Sequence, residues 1–279
     1  MKTRIFPEHN YKAFHFNGKT FRIALDPSKP IGELKYPEFY DVKVTPYCEG
    51  NCPYCYQNST DKNYHPENIV TKFLEFFSKL DQNQKPFQIA FGGGEPTTHP
   101  KFIQLMEECF NIGITPNYTT NGMWVNKNKS EILEVTKKYC GGVAVSVHPH
   151  LEKFWREAIQ LYLDNDIFTN LHIIIGDRNS IDIFSKLYKE YSGRVKYFVL
   201  LPLTAQGRAK NGFSDWDYLE KSIDGSPKDI AFGANFYPYL IKSPERFNVS
   251  LYEPEILSAY LDLENMEVYK SSFSSERKF

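Results

Sequence analysis

Strand-like and helix-like segments alternate along the chain from Phe39 to Leu201. The first predicted strand is Tyr40–Thr45, and apolar residues spaced for one helical face follow it from Ile69 to Leu80. The five later strands are Phe87–Phe91, Thr115–Thr119, Gly142–Val147, Leu171–Ile175 and Val195–Leu201, with a helical segment after each of the first four. Consecutive strands joined by helices require parallel pairing and right-handed crossovers. The pattern therefore predicts an α/β fold, a partial (βα)6 TIM-like barrel.

Both flanks of this repeat have a different pattern. Tyr11–Phe16 and Thr20–Leu25 are strand-like, and the Asn17-Gly18 pair between them is a strong signal for a β-hairpin. After Leu203 the periodicity weakens, with a helix predicted near 214–223, a strand near 232–241 that Pro238 interrupts, and a frayed tail from residue 271. We therefore expect an N-terminal hairpin extension (1–38), the barrel (39–212) and a C-terminal extension (213–279) that covers the barrel mouth.

Composition and charge narrow the function classes. The 279 residues include 41% hydrophobic and 24% charged residues, enough for an ordinary globular core, and 16% aromatic residues, which indicate bulky core packing or an aromatic-lined cavity. A net charge of −1 makes nucleic acid an unlikely partner. The polar first ten residues contain no signal-peptide h-region, and no apolar run is long enough to span a membrane. We expect a cytoplasmic protein.

Five cysteines are present, and three of them, Cys48, Cys52 and Cys55, fall within eight positions after the first predicted barrel strand. In a reducing compartment such crowding indicates a metal site rather than disulfides. Thiolates select zinc or iron–sulfur clusters, and three of them leave one iron of a [4Fe–4S] cubane open. The alternative is a zinc site completed by a distant ligand such as His65, in a non-catalytic module.

The two isolated cysteines, Cys109 and Cys140, are not predicted to bind a metal. Cys109 lies on the apolar face of a predicted helix, and Cys140 precedes a strand at the end opposite the mouth. Both are predicted to be small buried residues and not hydrogen donors to a substrate radical. No cysteine follows Cys140, so we expect no second cluster with ordinary cysteine ligands.

The Cys-x3-Cys-x2-Cys spacing, with Tyr54 before the last cysteine, resembles the signature of the radical S-adenosylmethionine (radical SAM) superfamily. The resemblance implies that Cys48, Cys52 and Cys55 hold a [4Fe–4S] cluster whose open iron chelates S-adenosylmethionine. An electron from the cluster then yields a 5′-deoxyadenosyl radical, which takes hydrogen from the substrate. By the same resemblance Tyr54 lies near the adenine, and no catalytic residue is predicted beyond the cluster ligands.

Further matches stand at the carboxyl ends of the predicted strands, where ligand sites of α/β folds gather. A Gly-Gly-Glu motif follows the second strand, a Thr-Asn-Gly turn follows the third, and a serine ends the fourth, with histidine where relatives often carry aspartate. A Pro…Gly-Arg-Ala stretch near the sixth strand resembles the branch of molybdopterin-precursor cyclases and peptide-modifying enzymes. The cofactor-binding residues that these motifs imply are Gly93, Gly94, Glu95, Thr120, Asn121, Ser146, His148, Leu201 and Arg208.

These observations leave several functions open. The favoured hypothesis is radical modification of a small organic or nucleotide-like molecule, because the chain is compact and lacks cysteines for an auxiliary cluster domain. The alternative is modification of a peptide or protein, which the N-terminal hairpin could bind by strand addition. The implied partner is an electron donor such as flavodoxin or ferredoxin. An aromatic segment near residues 232–239 is a candidate cover for a flat substrate.

Overall fold

The computed structural model describes residues 1–16, 18–223, 228–242, 244–247 and 254–278. Within these residues the strands are β1 (Lys2–Phe6), β2 (Tyr11–Phe16), β3 (Lys19–Ala24), β4 (Phe39–Thr45), β5 (Gln88–Gly93), β6 (Thr115–Thr120), β7 (Val143–Val147), β8 (Thr169–Ile175), β9 (Tyr197–Pro202), β10 (Ile230–Phe232), β11 (Ser258–Asp262) and β12 (Glu267–Tyr269). The α-helices are α1 (Ile69–Phe77), α2 (Phe102–Asn111), α3 (Lys129–Tyr139), α4 (Glu152–Asp164), α5 (Arg178–Tyr191), α6 (Trp216–Ser222), α7 (Tyr237–Leu240) and α8 (Pro244–Phe247).

The main sheet confirms the predicted partial barrel. Its strand order is β10-β9-β8-β7-β6-β5-β4-β11-β12, and the six predicted strands, β4 to β9, form an uninterrupted parallel series. Strands β10 and β11 extend this series in parallel, whereas β12 pairs antiparallel with β11. Strands β10 and β12 are the two ends of this order, so the described sheet is open and does not close into a full barrel.

Buried and more exposed residues alternate along β4, so that one face of the strand packs against helices and the other faces a cavity. In β4, Tyr40, Val42 and Val44 are buried, whereas Asp41 between them is not. Phe73 and Phe77 of α1 pack on the buried face, with Phe77 5.3 Å from Tyr40 between ring centroids. Parallel strands covered on both faces usually consist of continuous apolar runs. Polar residues on one face of β4 therefore indicate that this face lines a cavity.

The N-terminal extension is larger than the predicted hairpin. Strands β2 and β3 form the hairpin, but β1 adds a third antiparallel strand, and Asn17 lies outside the described residues. Arg4 and Tyr11 are buried in this small sheet, which packs on Phe87 and Leu257 at the amino ends of the barrel strands. The extension therefore closes the bottom of the barrel, opposite the mouth.

The C-terminal extension contributes strands β10, β11 and β12 to the main sheet. The strand predicted near 232–241 is wrong beyond Phe232, because a 3-10 helix (Ala234–Phe236) and α7 follow. Pro238 stands in the first turn of α7, where a missing N–H costs little. The tail is ordered, since the backbone N–H of Lys278 donates to Val268 O and its Nζ donates to Ser258 O at 2.8 Å.

Glu38 is a buried carboxylate (3% exposed) that ties the N-terminal sheet to β4. It accepts from the Tyr11 hydroxyl at 2.5 Å and from Arg22 Nε at 2.7 Å. We expect Glu38→Gln to lower the free energy of unfolding by about 1–3 kcal/mol, because the charge-assisted hydrogen bonds of a buried carboxylate are lost. Anaerobic denaturant unfolding measures this change. Glu8→Gln, at an exposed position, is the control, and equal stability of both variants would contradict the role of Glu38.

Candidate functional site

A cavity of about 410 Å³ lies at the carboxyl ends of β4 to β9. It gathers side chains from loops far apart in sequence, as expected when parallel strands end at one edge. All the predicted site residues but Arg208 line it, namely Cys48, Cys52, Tyr54, Cys55, Gly93, Gly94, Glu95, Thr120, Asn121, Ser146, His148 and Leu201. The strand-end motifs therefore converge on one chamber.

The cysteine loop follows β4 directly and is held by its own backbone. Cys48 N donates to Thr60 O at 3.0 Å, and Cys55 N donates to Cys52 O at 3.2 Å. Cys48 and Cys52 are 9% and 8% exposed, and Asn121 Nδ2 donates to Cys48 Sγ at 3.6 Å. Burial raises the pKa of Cys48 to about 11 and that of Cys52 to about 12. Thiolates in this loop therefore need a bound metal to stabilise their charge.

His65, the residue considered as a fourth zinc ligand, is engaged elsewhere. Its Nδ1 lies 3.1 Å from Thr45 Oγ1, and its ring packs against Tyr47 and His99. Within the described ranges no three His, Cys, Asp or Glu side chains are grouped so as to hold a single ion. A cubane spreads three thiolates over three irons, so its ligands need not converge on one point.

The glycine run joins the cysteine loop to the cavity wall. Gly94 N donates to Thr45 O at 2.6 Å, and a Cβ on Gly94 would lie 2.0 Å from Tyr47 O. Gly93 has φ 108°, a backbone conformation that favours glycine. Gly92 faces open space, because a Cβ added there would have none of the described atoms within 4 Å. Close backbone packing thus requires Gly93 and Gly94, while Gly92 leaves room in the cavity.

Glu95 is a buried carboxylate, 1% exposed, whose described partners are all neutral. Its Oε1 accepts from the hydroxyls of Thr97 (2.6 Å) and Thr120 (2.8 Å), and its Oε2 accepts from Asn121 N at 2.7 Å. Burial raises its pKa, although these hydrogen bonds oppose the rise. None of the described residues forms an ion pair with it. A cationic ligand group at this position would compensate its charge.

Tyr54 and His148 meet across the cavity from separate loops. The Tyr54 hydroxyl lies 3.1 Å from His148 Nδ1, and Trp155 Nε1 donates to His148 O at 3.0 Å. Burial lowers the pKa of His148 to about 4, so the ring is neutral at physiological pH. A neutral imidazole here can donate or accept a hydrogen bond, where an aspartate could only accept.

Arg208 does not line the cavity, in contrast to its predicted contact with the cofactor. Its Nε donates to Cys52 O at 2.8 Å and its Nη2 donates to Ser59 O at 2.9 Å. The adjacent Gly207, with φ 61°, packs so closely that a Cβ would lie 2.4 Å from Cys55 O. The Gly-Arg pair therefore braces the outer side of the cysteine loop.

Several cavity residues escaped the sequence analysis. Asp41, Gln57 and His172 line the cavity below the motif residues, and Tyr260 joins them from β11. Asp41 and His172 stand inside predicted strands, where a polar residue flanked by apolar ones was the available signal. No motif marks Tyr260.

A second cavity of about 490 Å³ adjoins the first at the mouth. We call it the outer cavity, and the 410 Å³ cavity the inner cavity. Pro202, Ala234, Asn235 and Glu255 line both cavities. The outer walls are mainly apolar and aromatic and include Leu203, Phe213, Tyr237, Pro238 and Tyr239. The aromatic segment near 232–239 thus lies at the mouth, as the sequence suggested.

Comparison with known proteins decides the family. The family model described as the Radical SAM superfamily matches residues 42–182, half of the chain. The chain belongs to the radical SAM superfamily. Its cofactors are therefore a [4Fe–4S] cluster and S-adenosylmethionine, and the three thiols and the uncompensated Glu95 are suited to hold them. A search of curated protein sequences finds no match.

Solved radical SAM structures share the fold. Streptococcus suis SuiB bound to precursor peptide SuiA is 16% identical with a TM-score of 0.65, covering 86% of this chain and 60% of SuiB. SuiB bound to S-adenosylmethionine is 14% identical with a TM-score of 0.66, covering 86% and 61%. The enzyme anSMEcpe with AdoMet and the Cp18Cys peptide is 15% identical with a TM-score of 0.56, covering 86% and 75%. This chain thus spans about three fifths of the length of SuiB.

Among the helices of the described residues, none has the length and apolar character needed to cross a bilayer.

The hydrogen bonds from Arg208 to the cysteine loop lead to a prediction about cluster stability. Arg208→Met keeps the apolar stem but removes the donors to Cys52 O and Ser59 O. We expect iron to be lost to a chelator about tenfold faster, because outer-shell bonds hold metal ligands in place. Loss of the cluster absorbance measures the rate. Arg178→Met, which breaks an exposed ion pair with Asp215, is the control. Equal rates in the two variants would contradict the brace.

Proposed function

We propose that this radical SAM enzyme takes a hydrogen atom from a small organic or nucleotide-like substrate held in the 410 Å³ cavity. The observation that carries the proposal is the convergence of three thiols and the uncompensated Glu95 on one cavity. When bound, the cluster supplies the electron that cleaves S-adenosylmethionine to a 5′-deoxyadenosyl radical. A soluble electron carrier such as flavodoxin or ferredoxin is the proposed partner.

In this proposal the residues of the chain bind, orient and exclude water. Cys48, Cys52 and Cys55 ligate the cluster, and Asn121 donates to Cys48 Sγ. Glu95 is placed to accept from the methionine ammonium group, since its described partners leave its charge uncompensated. Tyr54, in contact with His148, offers a ring and a hydroxyl to the same cavity.

The other proposed cofactor contacts come from uncharged residues. Thr120 and Ser146 offer hydroxyls, and Leu201 offers an apolar surface at the end of β9. Gly93 and Gly94 act by letting the cysteine loop approach Glu95. Arg208 acts on the loop from behind, as a positioning residue.

Peptide modification is the second candidate, and the outer cavity favours it. That cavity continues from the inner one through four shared residues, so an extended chain could lie outside while one side chain enters. SuiB and anSMEcpe, which share the fold, were solved with peptides bound.

Radical chemistry is tested by the product of cofactor cleavage. We expect the anaerobically reconstituted, dithionite-reduced protein to convert S-adenosylmethionine to 5′-deoxyadenosine, measured by chromatography. Cys48→Ala should abolish the product, because two thiolates cannot anchor the cubane. Cys140→Ser, at a half-buried thiol bonded to Gly142 O and outside the cavity, is the control and should keep it. A colourless protein without the product would refute the proposal.

The role of Glu95 is tested by binding. Glu95→Gln keeps the shape of the side chain and removes its charge, so S-adenosylmethionine should bind about tenfold or more weakly while iron content is retained. Calorimetry of the cluster-loaded protein gives the affinity. Glu49→Gln is the matched control. Glu49 belongs to the cysteine loop, and the substitution breaks its ion pair with Lys127. Unchanged affinity in Glu95→Gln would exclude the ammonium contact.

A further inference from the structure

The floor of the inner cavity contains a carboxylate that no motif assigns. Asp41 lies in the middle of β4, paired on one side with Ala90 of β5 and on the other with Tyr260 of β11. Its side chain is open to the cavity although the strand is central in the sheet. It is therefore accessible to a molecule inside the cavity.

Asp41 has no partner among the described residues. No hydrogen bond or ion pair from them reaches its carboxylate, and its desolvation by the surrounding protein raises its pKa to about 7, although the side chain faces the cavity. The nearby cations are engaged: Lys43 Nζ lies 2.9 Å from Asp262 Oδ2, and Lys270 Nζ lies 2.7 Å from Glu276 Oε1. An uncompensated carboxylate in such a place is costly unless a ligand supplies a donor.

A second residue of the same cavity also has an unsatisfied acceptor. Gln57 Nε2 donates to the Tyr56 hydroxyl at 2.8 Å and to the Tyr260 hydroxyl at 3.3 Å. Gln57 Oε1 is buried and has no hydrogen-bond partner in the part of the chain that the structure describes. Asp41 and Gln57 thus line the same cavity, and neither acceptor has a described donor.

Aromatic rings complete the floor. Tyr56 stacks with Phe273 at 4.5 Å between centroids, and both line the cavity with Tyr260. Aromatic faces attract organic cations, and several N–H donors on one cation can satisfy more than one acceptor. His172, whose pKa burial lowers to about 4, adds a neutral ring and no competing positive charge at physiological pH.

We propose that Asp41 and Gln57 form a substrate-anchoring site for a protonated amine or guanidinium group. The inference rests on the proposed function and narrows its substrate class to molecules that carry such a cation. The cation is either part of a small molecule or the end of a lysine or arginine side chain entering from the outer cavity. Asp41 supplies the charge, and Gln57 fixes the orientation of the donors.

Charged and neutral isosteres test this site without knowledge of the natural substrate. The probes are n-butylguanidinium, n-butylammonium and neutral n-butylurea, added to the protein loaded with cluster and S-adenosylmethionine and followed by ligand-observed NMR. We expect at least one cation to bind about tenfold or more tightly than the urea, and Asp41→Asn to reduce the difference to about twofold or less. Equal binding of all three probes, or no binding at about 50 mM, would overturn the proposal.

Two further variants keep the result decisive. Glu255→Gln neutralises the other described cavity carboxylate that no motif assigns, and it should keep the preference for the cation. A preference that persists in Asp41→Asn but is lost in Glu255→Gln would overturn the assignment to Asp41. If Asp41→Asn fails to fold or load iron, Gln57→Leu decides, since the preference should fall about threefold or more there and a full preference would refute the site.

The source of the cation is separated by a second pair of probes. N-acetyl-arginine methylamide and its neutral citrulline counterpart replace the butyl compounds. Tighter binding of the arginine compound than of butylguanidinium indicates a peptide side chain, whereas weaker binding indicates a free small molecule; either result supports the anchoring site. Formation of 5′-deoxyadenosine by the unmodified protein is measured in parallel, so failure of the radical chemistry is recognised separately from failure of cation binding.

Discussion

The site depends on a short backbone contact that continues the pairing of β4 with β5 beyond the sheet. Gly94 N donates to Thr45 O at 2.6 Å, and Glu95 N donates to Tyr47 O at 2.8 Å. Tyr47 precedes Cys48, the first of the proposed cluster ligands, and Glu95 is the proposed cofactor carboxylate. These two hydrogen bonds therefore fix the cysteine loop and the carboxylate relative to each other, and the absence of a side chain on Gly94 allows them to form.

The same loop is held from the other side of the barrel. Gly207 approaches the carbonyls of Cys55 and Tyr56, and Arg208 donates to Cys52 O and Ser59 O. The loop is thus fixed between the second strand-end motif and the last one. Cysteine ligands set by two backbone contacts from opposite walls need little rearrangement to hold a cluster, which is how outer-shell contacts act in metal sites.

Local sequence patterns predicted most of the barrel strands, and most of the predicted site residues line the cavity. The strands β4 to β9 follow from apolar residues bounded by turn signals, and the strand-end motifs converge because parallel strands end at one edge. Strand β11 was missed because it pairs with β4, roughly 200 residues away, and its own pattern is short. The contacts of Arg208 with the cysteine loop were not predicted, because a motif gives a position in sequence, and only the packing around Gly207 determines where the guanidinium reaches.

Two of the cavity carboxylates without a described ion pair, Asp41 and Glu95, lie at different depths. Asp41 pairs with Ala90, and the strand then rises through Gly93 before Glu95, so the two groups lie roughly 10 Å or more apart along the strand direction. In a medium of low dielectric constant each carboxylate needs its own positive partner. In the proposed arrangement, the ammonium group of S-adenosylmethionine binds Glu95, which leaves Asp41 for a second cation, and a substrate C–H bond would face the cofactor in the space between them. The charge distribution of the chain thus favours a substrate that carries a positive charge at one end and is modified some distance from it.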